Sequence, residues 1–135
     1  MARRALLGID VGQKRIGIAW TAADPQVAVP LVTIQAGENV VDEIKRLVRE
    51  KEADAIIVGL PRNQQGEETN QTTTVRQFAD KLKEAGLDVI FQDESLTSVI
   101  AEESLKEHNK PYAKEDVDKL AAAYILRDYL EEQRD

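Results

Sequence analysis

Cysteine is absent from this chain of 135 residues, and histidine occurs once. The absence of cysteine excludes disulfides, zinc–thiolate centres and catalysis by a thiol. The lone histidine, His108, stands near the predicted end of a helix, a position that is typical of a helix cap. The sequence therefore argues against serine–histidine–aspartate chemistry and favours a site built from other side chains.

Aromatic residues and long apolar runs are also scarce. The chain has one tryptophan, three tyrosines and two phenylalanines, and no aromatic platform for stacking RNA bases is recognisable among them. No apolar stretch approaches the roughly 20 residues that span a bilayer. The apolar segment after the basic N-terminus is too short for a signal peptide. We therefore expect a cytoplasmic protein that is not associated with a membrane.

Positive charge is outnumbered by negative charge. Eighteen lysines and arginines against 25 acids give a formal net charge of −7, which argues against a broad electrostatic grip on nucleic acid. Metal-binding carboxylates contribute to that total, so a nuclease stays compatible with it. The length and the 42% hydrophobic content predict one soluble domain, residues 1–135, with a core of its own.

Hydrophobic patterning predicts an α/β domain with the element order β-β-β-α-β-α-β-α-α. The predicted strands are at 5–11, 16–20, 31–34, 55–59 and 89–91. The predicted helices are at 39–51, between a polar loop at 61–71 and Gly86, at about 97–107 and at about 114–131. An antiparallel meander followed by alternating units predicts a mixed five-stranded sheet with helices on its faces. In such sheets, ligands bind beyond the carboxyl ends of the parallel strands.

Acidic residues stand at the edges of three apolar segments. Asp10 ends the first strand, which is costly for a carboxylate unless a cation or hydrogen bonds hold it. Asp93 and Glu94 end the fifth strand, where alternation sends their side chains to opposite faces, so one of them is expected in a site. Asp118 lies on the apolar stripe of the last helix, whereas Asp116 points to solvent. The pattern favours carboxylates that converge on a divalent metal ion.

Each of these residues also has a structural explanation. Asp10 precedes a glycine turn, where aspartate is common, and the acidic pair precedes a helix whose N-terminus favours negative charge. Periodicity does not choose between Asp93 and Glu94. Lys14 and Arg15 follow Asp10 in the hairpin turn. They are either phosphate contacts, bidentate in the case of Arg15, or part of a solvated charged turn.

Four motifs follow one another along nearly the whole chain. The first motif reads Gly-Ile-Asp-Val-Gly at residues 8–12 and Lys-Arg-Ile-Gly at residues 14–17. The second reads Val-Gly-Leu-Pro at residues 58–61 and is followed by Asn63 and Gly66. Residues 93–97 read Asp-Glu-Ser-Leu-Thr, and residues 117–122 begin with Val-Asp and end with two alanines. In this order they resemble the YqgF family, ribonuclease H-like proteins that are described as pre-16S rRNA nucleases and as Holliday junction resolvases.

The resemblance implies a ribonuclease H-like fold and a catalytic set at Asp10, the pair Asp93 and Glu94, and Asp118. Within the pair, the resemblance favours Glu94. One residue departs from the family pattern, since Ser95 stands where the family usually has arginine. The change removes a guanidinium beside the site, which bears on substrate affinity and not on the metal ligands.

We therefore predict a nuclease that hydrolyses phosphodiester bonds of structured nucleic acid with two Mg²⁺ or Mn²⁺ ions held by Asp10, Glu94 and Asp118. The preferred substrate is the 5′ end of pre-16S rRNA during ribosome biogenesis, and the alternative is a branched DNA, the Holliday junction. The residues expected to position the nucleic-acid backbone are Lys14, Arg15, Arg62, Asn63 and Thr97. Such a nuclease would be a monomer or a homodimer.

Two other classes of protein share features of the sequence. A sugar-kinase or actin-like ATPase also begins with Gly-Ile-Asp-x-Gly, but it needs two such domains around the nucleotide and this chain supplies one. A non-catalytic module of the same fold that binds RNA, ribosome-assembly factors or the transcription machinery agrees with the charge of −7 and with Ser95. The intact acidic set favours the nuclease, and binding of Mn²⁺ separates the two.

Overall fold

A five-stranded sheet with helices on both faces forms the described part of the protein. The computed structural model describes residues 3–94 and 113–133. The strands are β1 (Leu6–Val11), β2 (Arg15–Thr21), β3 (Val29–Gln35), β4 (Ala55–Pro61) and β5 (Val89–Glu94). The helices are α1 (Val40–Lys51), α2 (Asn70–Glu84) and α3 (Lys114–Glu132).

The strands lie side by side in the order β3-β2-β1-β4-β5. β1 pairs antiparallel with β2, and β2 with β3, because short turns connect them. β4 pairs parallel with both β1 and β5, because helical crossovers precede and follow it. The mixed sheet predicted from the sequence is therefore confirmed. The carboxyl ends of β1, β4 and β5 lie at the same edge, which is called the carboxyl edge below.

One face of the sheet is covered by α1 and α2. Leu7, Ile9 and Val11 alternate along β1 and pack on this side with Ile44 of α1 and Leu82 of α2. All of these side chains are buried. Because burial of one large aliphatic side chain is worth about 1.5–3 kcal/mol, this layer fixes the register of the central strands.

The opposite face is covered by α3, whose Ile125 and Leu126 pack on β1, β2 and β4. The alanines at 121–123 are all buried, and their small side chains let this helix lie close to the sheet. Gly8 of β1 completes the fit, since an added Cβ would lie only 2.9 Å from the carbonyl oxygen of Ala122.

Several boundaries differ from the sequence-based prediction. β3 begins at Val29 and includes Pro30, which is tolerated because the strand lies at the end of the strand order and the proline needs no ladder partner on its outer side. The polar loop ends at residue 69, because α2 already begins at Asn70. The helix predicted at about 97–107, together with Thr97 and His108, lies outside the described residues. Among the helices of 3–94 and 113–133, none has the length and apolar character needed to cross a bilayer.

Candidate active site

Asp10 lies one residue before the end of β1, at the carboxyl edge. Its neighbours Ile9 and Val11 belong to the core under α1 and α2, so strand alternation places Asp10 on the α3 face. Its partner in the antiparallel ladder is Gly17 of β2. Asp10 is partly exposed. It therefore lies at the edge where sheets of this kind bind ligands.

α3 crosses the sheet directly above Gly17, the strand partner of Asp10. A Cβ added to Gly17 would overlap the backbone carbonyl of Asp118, so the absence of a side chain permits this close approach. Thr33 of β3 donates a hydrogen bond of 2.6 Å to the carbonyl of Glu115, which holds the first turn of the same helix. Asp10 and Asp118, far apart in the chain, are thereby brought to one face and one edge of the sheet.

The carboxylate of Asp118 binds the guanidinium of Arg15. Nε of Arg15 donates to Oδ2 of Asp118 at 2.7 Å, and the two side chains are 25% and 20% exposed. This hydrogen bond raises the pKa of Arg15 above its ordinary value, although partial desolvation opposes the shift. The candidate site thus combines two carboxylates with one permanently charged cation.

Asp93, the first of the two acids that end β5, contacts the loop between β4 and α2. The carboxylate of Asp93 accepts a hydrogen bond from Nε of Arg62 at 3.2 Å. Its side chain is 68% exposed. Glu94 is the last residue of β5 and pairs with Pro61 of β4 at the carboxyl edge. Asp93 is therefore bound to the loop between β4 and α2, and the preference for Glu94 that the family motif implies stays a prediction.

The loop between β4 and α2 is held together by its own polar side chains. Oδ1 of Asn63 accepts hydrogen bonds from the backbone N–H groups of Gln65 and Glu67 at 3.0 and 2.9 Å. Arg62 donates to the carbonyl of Gly66 at 3.2 Å, and Gly66 has a φ of +80°, a conformation that favours glycine. Arg62 and Asn63 thus shape the loop, and their predicted contact with nucleic acid stays a prediction.

Sequence reasoning missed two residues that fasten the first turn of α2 to the carboxyl edge. Oγ1 of Thr72 donates to the carbonyl of Pro61 at 2.5 Å and accepts the N–H of Thr69 at 2.9 Å. Nε2 of Gln71 donates to the carbonyl of Val11 at 3.3 Å. Thr69 and Thr72 form a capping box in the structure, but threonine at the fourth position lacks the usual Glu or Gln signal, and the bonds to β1 and β4 have no local signature.

Replacement of Thr72 by valine is expected to destabilise the protein by about 1–3 kcal/mol. Thr72 is fully buried, so the variant would leave the Pro61 carbonyl and the Thr69 N–H without their partner. Urea unfolding measures the change. Thr72→Ser keeps the hydroxyl and should lose clearly less stability, and equal losses in the two variants would contradict a role for the hydrogen bonds.

Among the other predicted site residues, Lys14 is exposed in the hairpin turn and Thr97 lies outside the described residues. In residues 3–94 and 113–133, with the Glu94 side chain set aside, no group of three or more His, Cys, Asp or Glu residues that could hold a metal ion is found. The predicted ligands that the described structure brings to one place are Asp10 and Asp118.

A family model described as RuvX, Holliday junction resolvase, matches residues 4–132. The chain belongs to the RuvX family. A relative from Chloroflexus aurantiacus named "Putative pre-16S rRNA nuclease" is 41% identical over 99% of this chain and 91% of its own length. A relative of the same name from Thermoanaerobacter pseudethanolicus is 40% identical over 96% of this chain and 97% of its own length. The family resemblance drawn from the motifs is confirmed.

Solved resolvases have the fold of this RuvX-family chain. RuvC of Thermus thermophilus, in complex with a Holliday junction substrate, matches 96% of both chains with a TM-score of 0.53 and 15% identity. The Fowlpox virus resolvase, in complex with Holliday junction DNA, covers 97% of this chain and 99% of its own with a TM-score of 0.54 and 14% identity. At these identities the likeness concerns the fold alone, and it confirms the ribonuclease H-like class.

A further acid of this RuvX-family protein, Asp128, lies on α3 beside the end of β5. Burial raises the pKa of its carboxyl; Arg127 opposes the shift, and Glu131 and Glu132 add to it. A carboxyl whose pKa is raised by folding costs stability once it ionises. Asp128→Asn is therefore expected to raise the Tm at pH 7.

The pH dependence provides the control for this variant. Below the ordinary aspartate value of 3.8, the carboxyl is protonated in both the folded and the unfolded state, so the difference in Tm should disappear there. It should grow as the pH rises through the range between the ordinary and the raised pKa. Thermal unfolding from pH 3 to pH 8 measures the difference, and a Tm at pH 7 no higher than that of the wild type would contradict the expectation.

Proposed function

We propose that this protein is a metal-dependent nuclease that cleaves phosphodiester bonds of structured RNA, with pre-16S rRNA as its substrate. One observation carries the proposal: Asp10 and Asp118 come from distant parts of the chain to one face of the carboxyl edge. The relatives that are 41% and 40% identical bear a nuclease name that specifies this RNA. Because ribosomes mature in the cytoplasm, we place the protein there.

The donor set suits a hard divalent cation. Asp10 and Asp118 offer carboxylate oxygens, which Mg²⁺ and Mn²⁺ prefer, and both residues are partly exposed, so a hydrated ion has access to them. The Asp118 carboxylate already binds a cation, the guanidinium of Arg15. We assign Glu94 as the third ligand, because the family motif favours it and Asp93 is bound to Arg62.

Two divalent ions at such a site supply activation of the attacking water and stabilisation of charge on the leaving oxygen. The residues of the chain hold the reacting strand in place. Lys14 and Arg15, in and next to the exposed hairpin turn, are proposed to neutralise phosphates beside the scissile bond. The loop that Arg62 and Asn63 shape, together with Thr97, is proposed to border the strand. No side-chain base is required, which agrees with the near absence of histidine.

A cleavage panel tests this function. The substrates are RNA that contains the junction between the 5′ leader and 16S rRNA, a four-way DNA junction, and single strands of each, all assayed with Mg²⁺ and with Mn²⁺. We expect cleavage of the precursor RNA that stops when EDTA is added. Preferred cleavage of the four-way junction would support the resolvase instead, a candidate that the description of the family favours.

Calorimetric titration with Mn²⁺ separates the enzyme from a non-catalytic module of the same fold. Saturable Mn²⁺ binding that Asp10→Asn abolishes, together with cleavage, supports the nuclease. A protein that binds Mn²⁺ but cleaves none of the substrates would contradict the nuclease, and a protein that binds no Mn²⁺ would contradict the metal site itself.

A further inference from the structure

The ion pair between Arg15 and Asp118 has a consequence for how the proposed site is loaded. We propose that Arg15 competes with a divalent cation for Asp118, and that the guanidinium, once displaced, binds a phosphate of the substrate strand. Arg15 is in this sense a resident counter-cation and a positioning residue. The inference rests on the proposed function, since it takes Asp118 to be a metal ligand.

The contacts of the ion pair allow a divalent cation to replace Arg15 on Asp118. It consists of one hydrogen bond, from Nε of Arg15 to Oδ2 of Asp118 at 2.7 Å, and in the part of the chain that the structure describes Arg15 makes no second side-chain hydrogen bond. The exposed fractions of 25% and 20% give water and ions access to both groups. Ion pairs that water and ions can reach are weak, so a cation that binds the carboxylate more tightly displaces the arginine.

Both backbones are fixed, so that exchange requires side-chain rotation alone. The carbonyl of Arg15 accepts the N–H of Gly12 at 3.0 Å, and Arg15 pairs with Gln35 of β3. The backbone of Asp118 rests on Gly17. Rotation about the bonds of the long arginine side chain moves the guanidinium away while the carboxylate stays where it is.

Two other cations near the carboxyl edge, Arg62 and Lys119, are differently placed. Arg62 contacts Asp93, Glu68 and the carbonyl of Gly66, so its release would break up a folded loop. Lys119 follows Asp118 on α3 but pairs with Asp116 at 3.5 Å. Arg15, in contrast, holds Asp118, a proposed ligand, by a single hydrogen bond. A guanidinium freed beside a metal site is well suited to bind phosphate oxygens bidentately.

The competition is tested by Mn²⁺ titration of the full-length wild type and of Arg15→Gln by calorimetry. If Arg15 must be displaced first, the variant should bind Mn²⁺ about fivefold more tightly, the equivalent of about 1 kcal/mol. Lys119→Gln is the matched control, because it removes one positive charge next to Asp118 without touching its carboxylate. Its Mn²⁺ affinity should change by less than about twofold.

The second half of the inference is tested by the salt dependence of RNA binding. Each phosphate contact to single-stranded nucleic acid makes the slope of log K against log salt more negative by about 0.7. With Ca²⁺ present, Arg15→Gln should make the slope less negative by about that amount relative to the wild type. In EDTA the two slopes should coincide, because Arg15 then stays on Asp118.

The outcomes distinguish this inference from the proposed function. Weaker Mn²⁺ binding by Arg15→Gln would show that Arg15 orients Asp118 for the ion. An equal gain of Mn²⁺ affinity in Lys119→Gln and Arg15→Gln would show a general effect of charge. Either result overturns the proposed competition between Arg15 and the metal ion, but leaves the metal site in place. Equal slopes with Ca²⁺ overturn the phosphate contact. If the wild type and both variants bind no Mn²⁺, the proposed function and the inference fail together.

Discussion

Replacement of Asp10 by asparagine is expected to lower metal-dependent cleavage by about 10³-fold or more. The Lewis-acid stabilisation that a bound metal provides is worth several kcal/mol, and each 1.4 kcal/mol of transition-state stabilisation corresponds to about tenfold in rate. Asparagine has nearly the same shape as aspartate, so the ladder between β1 and β2 should be kept. Single-turnover cleavage measures the loss, and circular dichroism establishes that the variant is folded.

Asp116→Asn is the control for this prediction. It makes the same chemical change to another acid near the same edge, and the new amide oxygen can still accept the N–H of Ala113, as the carboxylate does at 3.0 Å. Its cleavage rate should stay within about twofold of the wild type. Cleavage by Asp10→Asn at the wild-type rate would contradict a metal site at this edge, and an equal loss in Asp116→Asn would indicate a general effect of negative charge.

The sheet was predictable where burial leaves a strong pattern. The continuous apolar run at 55–59 predicts a central strand, and β4 indeed lies between two parallel neighbours. Ile56 packs in one core and Ile57 in the other, so both faces of β4 need apolar residues. The start of β3 was not predictable in this way, because an edge strand accepts Pro30 and leaves several positions exposed.

The site was predictable in part, for a related reason. Asp118 stood out because it shares a helical stripe with Ala122, Ile125 and Tyr129, all of which are buried in the structure. Its hydrogen bond with Arg15 joins residues that are 103 positions apart, and no local sequence pattern predicts such a contact. Periodicity identifies the helix face on which a residue lies. Its partner on another element depends on how α3 crosses the sheet.

The second large effect is expected from Gly17→Ala, which should destabilise the protein by about 3 kcal/mol or more. The new Cβ would overlap the backbone carbonyl of Asp118, and backbone atoms cannot rotate out of the way as the end of a side chain can. α3 would have to move off the sheet. Urea unfolding measures the loss, and Gly37→Ala, which has open space for the added methyl, should change stability by about 0.5 kcal/mol or less.

A comparison with Gly8→Ala separates stability from the geometry of the site. An added Cβ at Gly8 would also press on α3, because it would lie 2.8 Å from Cβ of Leu126. Leu126 follows Asp118 along the helix, so this contact is farther toward the C-terminal end of α3. Both variants should therefore unfold more easily, whereas Mn²⁺ affinity measured on the folded protein should fall further in Gly17→Ala, because there the displaced turn carries Asp118 itself. Equal Mn²⁺ affinities in the two variants would mean that the position of this turn does not set the distance between the carboxylates.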